Sequence, residues 1–167
     1  RQRQMCIRDS NKVLLSKAPK LPLKAYDDLG TFKLYTLDLG VLRKLSELDA
    51  SILLLPTPAY TEYKGALAEN YILQSLTAQF QMPFRYWTSG NKAEVDFLLQ
   101  YINQIYPIEV KADQNIQGKS LIQYEKLFQP ACRIRYSMLN LKQDGNLLNI
   151  PLFLADKTRE LLGVINV

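Results

Sequence analysis

Two eight-residue runs, 94–101 and 105–112, flank the tripeptide Ile102-Asn103-Gln104 and read as consecutive strands of a hairpin. Side chains alternate between the faces of a strand, so the register decides which of them meet. With a two-residue turn at Asn103-Gln104, opposed positions sum to 207. Asp96 then falls opposite Lys111, Leu98 falls opposite Glu109, and Asp96, Glu109 and Lys111 project from one side. The reverse side collects Val95, Phe97, Leu99, Tyr106, Ile108 and Val110, an apolar face for a core. A turn of three residues would break this grouping.

Helical and extended patterns alternate around the hairpin. Residues 11–31 hold Pro19, Pro22 and Gly30 among Lys12, Lys17, Lys20 and Lys24, which suits extended strands better than a helix. A short strand is expected at 32–38. Asp38 can then cap a helix reaching Leu48, with Val41, Leu42, Leu45 and Leu48 on one face. Pro56 and Pro58 punctuate the chain after it. The clearest helix covers 64–81, where Ala66, Ile72, Leu73, Leu76 and Phe80 recur at helical spacing and Pro83 stops extension. Glu69 lies on the same stripe, where a carboxylate is expensive unless paired or bound to a cation. Strands are expected at 84–88, 133–138 and 150–154, with a turn at Ser89-Gly90-Asn91. An amphipathic helix is expected at 120–128, and a closing helix opened by Asp156. The fold class is α/β (or α+β), with a mixed β-sheet flanked by helices. Residues 1–10 begin without Met, show no periodicity and are expected to be a non-native tail. Residues 11–58 form an N-terminal segment and 59–167 a compact domain.

The 167 residues include no histidine. That removes Ser-His-Asp and Cys-His nucleophile pairs, His-ligated zinc and His-based nuclease chemistry, and leaves acid–base work to Asp, Glu, Lys, Tyr or a bound metal. The two cysteines, Cys6 and Cys132, have no zinc-type spacing and suit a reducing, cytoplasmic compartment. No apolar run approaches the roughly 18–20 residues of a membrane span, so no membrane partner is expected. Setting aside the first ten residues, 18 basic side chains face 15 acidic ones, a net +3 against +5 for the whole chain. Such mild basicity is a weak argument for nucleic acid by itself.

Two carboxylates and a lysine on one sheet face, with Glu69 available from a packed helix, suit Mg²⁺, a hard cation held by one or two carboxylates plus substrate phosphates. Such an ion can polarise a phosphodiester and lower the pKa of bound water. A neighbouring lysine can orient that water or neutralise developing charge.

The runs Glu94-Val-Asp96-Phe-Leu-Leu and Pro107-Ile-Glu109-Val-Lys111-Ala resemble the motif of the PD-(D/E)XK nuclease superfamily, the restriction-endonuclease-like fold. Glu94 and Val95 depart from the residues of the motif's name, and Asp96 keeps the ligand role. The resemblance implies Asp96 and Glu109 as metal ligands, Lys111 as the motif lysine, and Glu69 as a further acidic ligand from the first core helix. All four would be catalytic. A closer likeness covers about residues 17–155. Phe32-Lys-Leu-Tyr-Thr-Leu-Asp-Leu-Gly40, Gly65-Ala-Leu-Ala-Glu-Asn70, Tyr86-Trp-Thr, the two hairpin runs and Lys119-Ser-Leu contribute to it. Together they resemble the C-terminal domain of unknown function that follows the ATPase core of prokaryotic AAA-type ATP-binding proteins. That likeness implies an upstream ATPase part that binds ATP and is the domain's partner. No GxxxxGK(S/T) occurs here, so this chain is expected to be a C-terminal fragment.

The function expected is Mg²⁺-dependent phosphodiester cleavage of DNA by a nuclease-like domain at 59–167. The alternative is a catalytically inactive DNA- or protein-binding module that regulates the ATPase. Tyr86 and Trp87 read as core rather than as a base-stacking pair, while Lys119 and Lys126 fit phosphate contacts and a solvated helix face equally.

Overall fold

The computed structural model describes residues 10–47, 58–90, 92–113 and 118–165. In chain order these form β1 (Ser10–Ser16), β2 (Asp27–Thr36), α1 (Leu39–Leu45), α2 (Pro58–Phe80), β3 (Arg85–Thr88), β4 (Glu94–Tyr101) and β5 (Gln104–Val110). There follow α3 (Lys119–Phe128), β6 (Arg133–Ser137), β7 (Lys142–Asp144), β8 (Leu147–Pro151) and α4 (Thr158–Ile165), with 3-10 turns at Leu23–Tyr26 and Leu152–Lys157. The strands form one eight-stranded sheet in the order β2-β1-β3-β4-β5-β6-β8-β7. The pairs β1–β3, β5–β6 and β6–β8 are parallel and the other neighbours antiparallel. This is the mixed α/β architecture that the alternating patterns imply.

Helices cover both faces of the sheet. On one side α2 and α4 place Ile72, Leu73, Leu76 and Leu162 against Val13, Phe97, Tyr106 and Ile134. On the other, α3 places Leu121 and Tyr124 against Trp87, Val95 and Leu98. Trp87 is buried edge-on to Tyr124 and Phe128, with ring centroids 5.3 and 5.4 Å away, so it is a core residue. Tyr86 is buried as well. The first two strands belong to this sheet: Val13 and Tyr35 sit in the principal core, and Arg85 on β3 grips Asp27 of β2 through two hydrogen bonds of 2.8 and 2.9 Å. The sheet also curls. Two strands separate β2 from β4, yet the Tyr35 and Phe97 rings lie 5.4 Å apart.

Helix α2 starts at Pro58, six residues before the expected 64, because proline is tolerated in the first turn, where its missing N–H has no helical partner. It ends at Phe80, and Gln81 takes a left-handed conformation (φ 50°) ahead of Pro83. Its buried stripe is Ala68, Ile72, Leu73 and Leu76, whereas Ala66 is exposed. Asp38 caps α1 by accepting the Val41 N–H at 2.9 Å. That helix stops at Leu45, which is exposed; Leu48 and Pro56 lie outside the described residues, as do Cys6 and Asn91. Strand β8 runs from Leu147 to Pro151, three residues ahead of the expected 150–154, and a 3-10 turn takes in Asp156, so the closing helix opens at Thr158 instead. The real start of α4 is held from α2: Gln79 donates to the Ala155 carbonyl at 2.8 Å and accepts the Arg159 N–H at 3.1 Å. Strand β7, fully exposed and only three residues long, has no hydrophobic pattern to reveal it.

Candidate active site

The β4–β5 hairpin turns at Ile102-Asn103, not Asn103-Gln104. Both residues have positive φ, 43° and 57°, as a two-residue turn of the type I′ class requires. The observed pairs run from Phe97 with Ile108 to Tyr101 with Gln104. Opposed positions therefore sum to 205, and the ladder ends at the pair Phe97 and Ile108, so Asp96 and Lys111 are not a pair of it. A two-residue slip leaves side-chain parity intact, so the expected grouping of faces is preserved along β5.

On β4 the alternation is interrupted. Arg85 pairs with Leu98 while Trp87 pairs with Val95, so Asp96 and Phe97 together oppose Tyr86 in a β-bulge. The bulge sends Val95 to the α3 side with Leu98, whereas Phe97 and Leu99 face α2. Val95 thus departs from the face expected of it. The bulge also changes what Asp96 does. Its Oδ2 accepts the Val110 N–H at 2.7 Å, taking the place of a backbone acceptor just where the hairpin ladder ends.

Glu109 is 3% exposed; its Oε1 pairs with the Lys111 ammonium at 3.1 Å. Its Oε2 is buried and has no hydrogen-bond partner among the described residues. An unsatisfied buried carboxylate oxygen is costly. Glu69 reaches the same region from α2, its Oε2 accepting the Tyr35 hydroxyl hydrogen at 2.9 Å. The adjacent Asn70 locks helix to strand by accepting the Thr36 N–H at 2.9 Å and donating to the Thr36 carbonyl at 3.2 Å. Lys33 of β2 forms an ion pair with Glu94 and lies over the Tyr86 ring, 5.0 Å from its centroid.

The electrostatics tie these groups together. Burial, followed by repulsion from Glu69, pushes the Asp96 carboxyl up to about 7, against the opposing pull of the Val110 N–H and Lys33 and with a further push from Glu109. Burial works to lower the Lys33 pKa, but the hydrogen bond and charge of Glu94, aided by Asp96 and Glu69, hold it above its ordinary range. Tyr35 is raised far beyond its ordinary range by burial and by Glu69, so it remains a donor.

Asp96, Glu109 and Lys111 are therefore brought to one end of the central hairpin, and Glu69 acts on Asp96 from the neighbouring helix. Among the described residues, no three His, Cys, Asp or Glu side chains converge into a cation cage. The donors nonetheless suit a hard cation: all are carboxylate oxygens, and one is buried without a partner. Sequence reasoning missed Lys33 and Tyr35. They alternate with Phe32 and Leu34 on β2, a strand far from the motif along the chain, and only the curl of the sheet carries them to it.

Residues 64–153 match the model of the family described as Domain of unknown function (DUF4143), more than half of the chain. The chain belongs to this family. The DUF4143 match contains Glu69, Asp96, Glu109 and Lys111 and leaves out β1, β2 and α4. No curated protein and no solved structure matches the chain. Among the described residues, no helix is long and apolar enough to cross a membrane.

Proposed function

We propose that this DUF4143 domain is a restriction-endonuclease-like module that cleaves phosphodiester bonds in DNA with a divalent cation, Mg²⁺ in the first instance, under the control of an AAA-type ATPase partner. The single observation carrying this reading is the ion pair of Glu109, buried and with one oxygen unsatisfied among the described residues, with Lys111, while Asp96 holds the N–H of the intervening Val110. Asp96 and Glu109 would hold the cation, with Glu69 contributing from α2. When bound, the cation supplies Lewis acidity at the phosphodiester and a more acidic water. The Lys111 ammonium stands beside Glu109, where it can donate to an attacking water or to a developing phosphorane oxygen. Tyr35 fixes one oxygen of Glu69.

The test is cleavage of plasmid or branched DNA by the purified chain with Mg²⁺ or Mn²⁺. Glu109→Ala and Lys111→Ala should each reduce cutting by about a hundredfold or more. Cutting that survives both substitutions rejects the assignment.

A second reading, an inactive DNA- or protein-binding regulatory module, is favoured by the lack of a three-carboxylate cage among the described residues. It calls for DNA affinity that is indifferent to Asp96→Asn and for an ATPase rate that changes when the domain is deleted from its parent protein.

A further inference from the structure

At the turn end of the central hairpin, three bends of the chain enclose an open cavity of about 310 Å³. Its walls are the stretch before the first 3-10 turn, the β4–β5 turn and the end of α3. Asp96 lies five strand positions before Tyr101, roughly 17 Å from the turn, so the cavity is separate from the carboxylates. The walls are fastened: the Leu23 N–H donates to Gln100 Oε1 at 2.9 Å, the Lys20 N–H to the Ala18 carbonyl at 2.8 Å, and the Gln129 N–H to the Glu125 carbonyl at 2.9 Å.

The lining has a particular chemistry. Asn103, Gln104 and Gln129 bring carboxamides, each both donor and acceptor, Lys20 brings one ammonium, and no lining residue is acidic. None of these four side chains has a hydrogen-bond or ion-pair partner among the described residues. Independently, Tyr124 lines the cavity while only 1% exposed, and its hydroxyl has no partner among the described residues, although a buried phenol ordinarily finds one. Phe128 stands beside it, its ring 4.8 Å from that of Tyr124 and 37% exposed, which leaves apolar ring surface for a flat ligand. Neutral groups that both donate and accept suit the edge of a planar heterocycle, an open aromatic ring suits its face, and a lone ammonium suits an attached phosphate. We infer that this cavity binds a nucleoside monophosphate unit, free or as an unpaired nucleotide of a nucleic-acid strand. Lys20 meets the phosphate, and Tyr124 and the carboxamides meet the base.

Trp87, the only tryptophan of the chain, reports occupancy, because its ring lies 5.3 and 5.4 Å from those of Tyr124 and Phe128. Titrated in EDTA and excited where nucleotides do not absorb, the wild-type chain should give a saturable fluorescence change with AMP, with adenosine and with a short oligodeoxyadenylate. Lys20→Met should weaken AMP about tenfold and leave adenosine unchanged, since it removes only the charge. Tyr124→Phe should weaken both about fivefold. An oligonucleotide that binds more tightly than AMP makes a nucleic-acid strand the source of the ligand; one that binds no more tightly makes it a free nucleotide. Absence of a saturable response to AMP and the oligonucleotide overturns the inference, as does a proline-rich peptide that binds where they do not. Unchanged AMP affinity in either folded variant overturns it too, and Lys20 is exposed, so that arm stands even if Tyr124→Phe does not fold. With no divalent cation present, the outcome is independent of the cleavage test.

Discussion

Asp96 is in an unusual position for a carboxylate. It serves as a backbone acceptor for Val110 while two other acids act on it, and its pKa rises to about 7 from an ordinary 3.8. Between those values the native protein holds a proton that the unfolded chain has released. By linkage, stability falls as pH rises through that window. Unfolding by urea should therefore show the chain less stable at pH 8 than at pH 5, and Asp96→Asn should flatten the difference by at least about 1 kcal/mol. A slope unchanged in the variant would assign the pH dependence to other groups. The hairpin that carries Asp96, Glu109 and Lys111 and the helix that carries Glu69 were legible in the sequence from their hydrophobic patterns. The role of Asp96 as a ladder acceptor was not, since a β-bulge shifts parity without leaving a Gly or Pro to mark it.

The β4–β5 hairpin is where local sequence and observed geometry disagree most usefully. Asn103 adopts a left-handed conformation readily, but Ile102 is β-branched and holds φ 43° while 64% exposed. The turn overrides the preference of Ile102 because its twist matches that of the flanking strands. Ile102→Asn should relieve the strain and raise stability by roughly 1 kcal/mol, visible as a higher melting temperature. A lower one would show that the side chain matters more than the backbone. Helix α3 and both central strands were readable to within two residues, and α2 only at its C-terminal end. The start of α2 was missed because Pro58 looks like a breaker when it is in fact an opener. Strand β7 was missed because exposed polar residues pair through their backbone alone.

At the scale of the whole molecule, the family match and the folded unit differ in extent. Residues 64–153 omit β1 and β2, which provide Val13 and Tyr35 to the principal core and Asp27 to the buried pair with Arg85. They also omit α4, which brings Leu162. A fragment cut to 64–153 should consequently lose cooperative unfolding and bind a hydrophobic dye, whereas residues 10–165 should melt in a single transition. In the longer protein, Arg85→Met leaves Asp27 buried without a partner and should cost about 3–5 kcal/mol in urea unfolding. The mixed α/β class could be read from the sequence because helices and strands alternate along it. The joining of β1 and β2 to the same sheet could not, since edge-strand order depends on contacts between residues far apart in the chain.

The curl of the sheet has one more consequence. Lys33 reaches Glu94 across two intervening strands, not by lying next to it in hydrogen-bonded order, while Tyr35 on the same strand reaches Glu69 of α2. Flattening that curvature would draw the Lys33 ammonium away from Glu94 while the hairpin itself stayed intact. The chemical surroundings of Asp96 are thus set by the shape of an entire surface, and any force that changes its curvature is felt there first.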